Sequence, residues 1–347
     1  MPLLVLNLLW GLVEVCVFVA LRRGVRLATA MTVGLLATFA ALIALNGVSL
    51  ATFHAMRAVS CALFLHAPLV LALLAWHFRA RRAPALASLT LAVVLAAVGA
   101  DAFLYEPHAL VISSYELKAG TNVRIAVMSD FQANHIGEYE RGVLKELGSL
   151  DADLVLLAGD YIQVSGPSRA QVVADFRDAW QAAGIHPRLG TYAVRGDVEP
   201  NGWGAELFGG LGVTTSDHTR TVVAGDVTLT MLGLYDSANP HLSVPTAVTT
   251  SAASIVLGHR PDFALGSEPR GLLVAGHTHG GQVQLPFFGP PFILSSVPRR
   301  WGAGGLFTVD HERSLLVTRG AGVEHADNAP ELRFGCRPEL VALTLVR

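Results

Sequence analysis

Apolar positions along the chain follow two regimes. Over residues 1–107 they gather into long runs near 2–21, 27–47, 58–77 and 85–104. Each run is about 20 residues, the helical length that crosses a bilayer core. Four such runs in succession, separated by short arginine-bearing loops, predict four transmembrane helices. Beyond residue 107 the apolar runs shorten to four to six residues: 123–128, 154–158, 191–194, 255–257 and 272–275. Runs of that length, bounded by glycine or polar residues, predict buried strands. Helical spacing over 139–150 and 170–183 separates the first three, so strand and helix alternate as in a layered, partly parallel α/β sheet. From residue 221 onward strand-like runs follow with little helix, which predicts a mixed sheet or two stacked sheets.

Composition sharpens this division. The chain of 347 residues is 52% apolar and only 15% charged, where a soluble domain carries about 25% charge. Residues 1–107 hold seven arginines and three acids, and the remaining residues hold 18 bases and 24 acids. A boundary near residue 107 is expected, with a four-helix membrane region at 1–107 and a second domain at 108–347. The net charge of −2 excludes the basic face that nucleic-acid binding needs. Three cysteines, two of them in the membrane runs, exclude a disulfide scaffold.

The arginines also orient the membrane region. Arg22, Arg23 and Arg26 follow the first run, and Arg79, Arg81 and Arg82 follow the third, whereas the middle loop has Arg57. Basic loops stay cytoplasmic, so both chain ends are expected outside, with a multi-pass inner-membrane protein carrying its second domain in the periplasm. No basic residue precedes the first run, which is unlike a cleavable signal. Glu14, His66 and Asp101 fall in or near the runs; the two acids are expected near span ends, in reach of water, with His66 neutral.

The chemistry lies where the strands end. The runs are followed by Ser129-Asp130, Gly159-Asp160, Gly196-Asp197, Gly258-His259 and Gly276-His277-Thr278-His279. Ligands gather at the carboxyl edge of such sheets, and glycine before the polar residue permits a tight turn. A single Asp after a strand is more often a helix cap. Three carboxylates and three imidazoles delivered to one edge are a metal-ligand set. Mixed Asp and His suit Mn, Fe or Zn, and six ligands exceed a single zinc site. Two divalent ions are therefore expected, of the kind that promote displacement at phosphorus.

In this order and spacing, Asp130, Gly159-Asp160, Gly196-Asp197-Val198-Glu199, His259 and Gly276-His277-Thr278-His279 resemble the calcineurin-like metallophosphoesterases. Gly276 to Gln282, Thr318-Arg319-Gly320-Ala321-Gly322 and Arg337-Pro338-Glu339-Leu340 resemble its membrane-anchored bacterial branch. The resemblance covers roughly residues 122–347 and implies a four-layer αββα sandwich. It further implies that Asp130, Asp160 and His279 hold one metal, that Asp160, Asp197, His259 and His277 hold the other, and that Asp160 bridges. The substrate it implies is a phosphate ester, lipid-linked or nucleotide-derived, met at the lipid bilayer.

Three positions depart from the family pattern. Gln132 stands where a metal-binding histidine is expected, and offers a weaker neutral oxygen. Asp197 replaces an asparagine and adds a negative charge. Val198 replaces a histidine that would contact the phosphoryl group; losing such a group commonly costs about 10²–10⁴ in rate. His135, Arg195 and Arg260 are candidates to substitute for it. Two functions are compatible with this set: a membrane-bound phosphoesterase, or a metal-binding relative with weakened catalysis that serves as a binding or sensing module. The stretch around Phe287, Phe288 and Phe292 is expected to be a loop packed over the core, with a lid facing lipid as its alternative.

Overall fold

The computed structural model describes residues 2–26, 29, 59–243, 251–267, 269–325 and 330–347. It divides into two compact units, Met1–Leu104 with Ala326–Pro330 and Tyr105–His325 with Glu331–Arg347.

The first unit contains helices α1 (Pro2–Arg22), α2 (Val59–His77) and α3 (Arg82–Ala100). Among the described residues two helices, Val59–His77 and Arg82–His108, are long and apolar enough to cross a membrane. Of the other two expected spans, the first run forms α1 and the run near 27–47 lies, but for residue 29, outside the described residues. Glu14 does not reach water as expected. It is buried, and His66 Nδ1 lies 2.9 Å from its Oε1, while His66 Nε2 lies 2.8 Å from Asn7 Oδ1. Each polar group thus finds its partner inside the helices, which spares the cost of burying an unpaired polar group.

The second unit is built on two six-stranded sheets. The first has the order β1 (Val111–Lys118), β12 (Glu339–Val346), β2 (Val123–Met128), β3 (Leu154–Leu157), β4 (Thr191–Val194), β5 (Val213–Ser216). The second has the order β10 (Gly305–Thr308), β11 (Arg313–Val317), β9 (Gly271–Ala275), β8 (Ala253–Leu257), β7 (Val227–Met231), β6 (Arg220–Ala224). Pairing from β2 to β5 is parallel, as it is from β7 through β8 and β9 to β11. Strand β12 runs antiparallel to β2 and parallel to β1.

Side chains two apart share a face of a strand, and this sorts the core into layers. Leu154 and Leu156 of β3 meet Ile255, Leu257, Leu272 and Val274 between the sheets. Val155 and Leu157 point the other way, onto helices α4 (Glu138–Ser149) and α5 (Arg169–Ala183). Val256, Leu273 and Ala275 face outward from the second sheet, against Phe263, Val297 and Trp301. The layers are therefore helix, sheet, sheet and a thin outer cover. That cover is a 3₁₀ turn over Pro261–Leu265 and the four-residue helix Arg299–Gly302, in place of a full helical layer.

Candidate metal centre

The parallel strands β2, β3, β4, β8 and β9 end at one edge, and the residues that follow them converge there. Asp130, Asp160, His277 and His279 all take positive φ, at 48°, 58°, 68° and 49°, as does Gln132 at 41°. Non-glycine residues rarely adopt that conformation, and clusters of them mark functional sites. Glycines make the approach possible. A Cβ on Gly196 would overlap Asp160 Oδ1 and its backbone nitrogen, and one on Gly276 would overlap the Asp130 carboxylate.

Distances join all six proposed ligands. His259 Nε2 lies 3.5 Å from Asp160 Oδ2 and 3.3 Å from Asp197 Oδ2. His277 Nδ1 is 3.0 Å from Asp197 Oδ2, and His279 Nε2 is 3.6 Å from Asp130 Oδ1. Two overlapping trios, Asp197–His259–His277 and Asp130–Asp160–His259, each have ligand atoms within 4.8 Å of one another. The backbone fixes the histidine tautomers. His259 Nδ1 donates to the Ala158 carbonyl at 2.8 Å, and His277 Nε2 donates to the Leu294 carbonyl at 2.7 Å. Each ring then turns a lone pair toward the carboxylates, the arrangement in which an outer hydrogen bond prepares a ligand.

That arrangement fits a cation. His259 Nε2, His279 Nδ1 and Gln132 Oε1 are buried and have no hydrogen-bond partner among the described residues. Buried polar atoms are almost always satisfied, and two of these, His259 Nε2 and Gln132 Oε1, lie beside the carboxylates where a bound cation would satisfy them, while His279 faces Asp130 with its other nitrogen, Nε2. The electrostatics agree. Burial pushes the Asp130 carboxyl up to about 6, with nearby Asp160 adding to it against the pull of His259. Burial acts downward on His259, but Asp160, Asp197 and Asp130 outweigh it and raise its imidazole to about 10. Without a metal the carboxylates hold a proton where a cation belongs. His279 is held well below the usual imidazole range by burial and by Arg333, so it is neutral and ready to ligate.

Supporting contacts hold the ligands in place. Asp130 accepts from Ser129 Oγ at 2.5 Å and from the His277 amide at 2.9 Å; Ser129 Oγ in turn pairs with Thr318 Oγ1. Glu199 is 2% exposed and accepts from the amides of Asp160 at 3.0 Å, Tyr161 at 2.7 Å and Gly196 at 2.7 Å. One carboxylate therefore clasps the loops after β3 and β4. Burial, with Asp160 next in weight, raises the Glu199 carboxyl to about 7. Asp197 is half-buried. Its burial is outweighed by the neighbouring His259 and His277 imidazoles and by the hydrogen bonds from Arg260, which together hold its carboxyl far below the usual range.

The three departures each have a structural setting. The charge added by Asp197 is met by Arg260, whose Nη2 lies 2.6 Å and Nε 3.0 Å from it. Gln132 donates its amide N–H groups to Asp160 Oδ2 and to Glu324 Oε2, both at 3.0 Å, leaving its oxygen bare. Val198 contributes its backbone N–H to Asp160 Oδ1 at 3.0 Å. Of the candidate substitutes, Arg195 is braced on the Glu199 carbonyl and His135 pairs with Asn134. Arg260 alone among those three touches a proposed ligand. The pairing with Glu324 escaped sequence reasoning, because 192 residues separate it from Gln132 and no motif frames it.

No family model matches the chain. The chain is similar to phosphodiesterase YaeI of Escherichia coli (strain K12), 30% identical over 198 residues, covering 56% of this chain and 70% of that protein. An uncharacterized metallophosphoesterase, YkuE of Bacillus subtilis (strain 168), is 25% identical over 266 residues, covering 69% of this chain and 87% of that protein. UDP-2,3-diacylglucosamine pyrophosphatase LpxG of Chlamydia muridarum (strain MoPn / Nigg) is 31% identical over 135 residues, covering 35% and 39%.

Proposed function

Since the chain belongs to the calcineurin-like metallophosphoesterase superfamily and is a metal-dependent phosphoric ester hydrolase, we propose that it is a multi-pass membrane phosphoesterase with an extracytoplasmic site. Asp130, Asp160 and His279, with the Gln132 oxygen, hold one divalent ion; Asp160, Asp197, His259 and His277 hold the second. The observation that carries this reading is the convergence of the imidazole nitrogens of His259, His277 and His279 on three carboxylates, with the buried His259 Nε2 and Gln132 Oε1 unpartnered among the described residues. The mixed nitrogen and oxygen donors suit Mn, Fe or Zn. Bound ions there supply Lewis-acid polarisation of a phosphoryl oxygen and a water of lowered pKa.

The chain's own residues set the rest. Gln132 and Val198 orient Asp160 through N–H groups, and Ser129 and the His277 amide orient Asp130. Arg260 lies at the exposed side of Asp197 and adds positive charge where an anionic ester enters. Val198 offers no side-chain donor, so protonation of the leaving oxygen falls to solvent. The name of YaeI supports a phosphodiester as the scissile bond, ahead of a monoester or pyrophosphate. The name of LpxG, whose substrate is both acylated and UDP-linked, supports an ester that carries a lipid part.

Four spans with both ends outside remain part of this proposal, supported by the arginine distribution and the two apolar helices. A reporter active only outside the cytoplasm is expected to be active after Arg347 and silent near Arg81; the reversed pattern refutes the sidedness. Purified full chain is expected to hydrolyse a generic phosphodiester with added Mn²⁺ and to stop on chelation. Chelator-insensitive turnover refutes the metal reading.

A further inference from the structure

Residues 285–294 leave the turn that follows the metal-binding histidines and run into solvent. Leu285 and Gly289 close a tight tip through paired backbone hydrogen bonds of 3.0 and 2.9 Å. Phe287 sits in it at φ 63°, a conformation unfavourable for an aromatic residue. The expectation that this stretch packs over the core is corrected: Leu285, Phe287, Phe288, Phe292 and Leu294 are all exposed, Phe287 completely. Soluble surfaces rarely gather large apolar side chains into one patch without a partner for it.

The base of the loop is tied to the metal centre. The Leu294 carbonyl accepts from His277 Nε2, and the backbone of Gly281 approaches so closely that a Cβ there would meet Pro290 Cβ at 2.5 Å and the Phe292 carbonyl at 2.7 Å. The stretch itself carries charge of one sign, and the Asp262 carboxylate that accepts from Ser295 and Ser296 just beyond it is buried. No Asp or Glu occurs between residues 269 and 309. Arg299 lies 4.0 Å over the Phe288 ring, and Arg299 and Arg300 are exposed. Aromatic rings flanked by arginine and free of acids complement the headgroup region of an anionic bilayer, where rings sit at the interface and guanidinium groups meet lipid phosphates.

We propose that residues 285–294 are an interfacial element that inserts Phe287 and Phe288 into the bilayer and seats Arg299 and Arg300 on lipid phosphates. The metal centre then meets phosphate esters whose remaining substituent is an apolar chain held in the leaflet. This substrate class rests on the membrane-bound phosphoesterase reading. Covalent linkage to the proposed membrane helices raises the effective concentration of lipid for the loop, so a short tip suffices.

The test uses full-chain protein in nanodiscs holding one chain each, made of phosphatidylcholine with or without phosphatidylglycerol. In a Cys16→Ser, Cys61→Ser background, an environment-sensitive dye is placed at Phe287→Cys, with Glu146→Cys on α4 as the water-exposed reference. The dye at 287 is expected to shift to the blue and to be quenched by headgroup-proximal lipid quenchers, more so with phosphatidylglycerol. A water-like spectrum at 287 in both lipids overturns the proposal. So does a shift seen only when two chains share a disc, which makes the occupant a second copy. In parallel, Phe287→Asp with Phe288→Asp is expected to lower turnover of a lipid-embedded phosphodiester roughly tenfold to a hundredfold and to leave turnover of a soluble phosphodiester unchanged. An equal loss on both esters overturns the lipid-substrate assignment. Absence of turnover on either ester by metal-loaded wild type refutes the phosphoesterase reading and the substrate class with it, and the dye's depth still decides insertion.

Discussion

Glu199 touches no substrate and ligates no metal in the proposed set, yet it determines how two ligand loops meet. Its carboxylate accepts three amide N–H groups, from Asp160, Tyr161 and Gly196, at 2.7 to 3.0 Å. Glu199→Gln keeps the volume but replaces one acceptor oxygen with a donor. At least one charge-assisted bond is lost, about 1.5–3 kcal/mol, and one buried N–H is left facing another donor, about 1–3 kcal/mol. Against this, burial and Asp160 already hold the Glu199 carboxyl up at about 7, so removing its charge returns part of that cost. The net expectation is a loss of about 1–3 kcal/mol of stability and, because Asp160 and Asp197 are no longer held in register, about 10–100-fold in metal affinity. Both are measured on purified full chain, by thermal unfolding with and without Mn²⁺ and by competition with a chelator of known affinity. Wild-type metal affinity together with an unchanged unfolding temperature in Glu199→Gln would show that the clasp does not position the ligands.

Two further predictions concern protons and the unusual residues. With His259 raised to about 10 in the metal-free protein and Glu199 to about 7, the folded state binds more protons than the unfolded one above pH 6.5, and the opposing contribution of depressed His279 fades as pH rises past its ordinary value of 6.5. Metal-free stability is therefore expected to fall as pH rises from 6.5 to about 9, while metal affinity rises because the ion displaces those protons; a pH-independent pair of titrations contradicts this. Gln132→His with Val198→His is expected to raise metal occupancy and diester turnover together, by non-additive amounts, since imidazole is a better ligand than an amide oxygen and a second one restores a donor at the leaving group. Fast native turnover that the double change slows would make Gln132 and Val198 parts of a specialised site.

Much of the site was legible because its ligands sit directly after short apolar runs. Strands β2, β4 and β9 lie within a residue of their expected bounds, and Asp130, Asp197 and His277 follow from them by position alone. Local patterns do not carry pairing between distant segments. Strand β12 enters between β1 and β2 across more than 200 residues, and Glu324 reaches Gln132 from a stretch with no motif. The exposure of the loop at 285–294 is hidden from the sequence for a related reason. Proline and phenylalanine in sequence are as compatible with a covered core as with an exposed tip, and the difference is set by the Leu285–Gly289 pairing. Glu14 and His66 look isolated in the sequence because their pairing spans 52 positions.

The central claim is that one sheet edge holds two divalent ions with Asp160 shared between them. Elemental analysis of purified, folded full chain, wild type against Asp160→Ala, tests it most directly. Asp160 lies 3.5 Å from His259 and accepts from Gln132 and Val198, so its loss removes an oxygen donor from the Asp130–Asp160–His259 trio and from both proposed ligand sets, and leaves the charges of the ions poorly compensated. Close to two transition-metal ions per wild-type chain, and loss of most of both in Asp160→Ala, is the expected result. Undiminished metal in the folded variant, or a wild-type chain that takes up none at neutral pH, would contradict it.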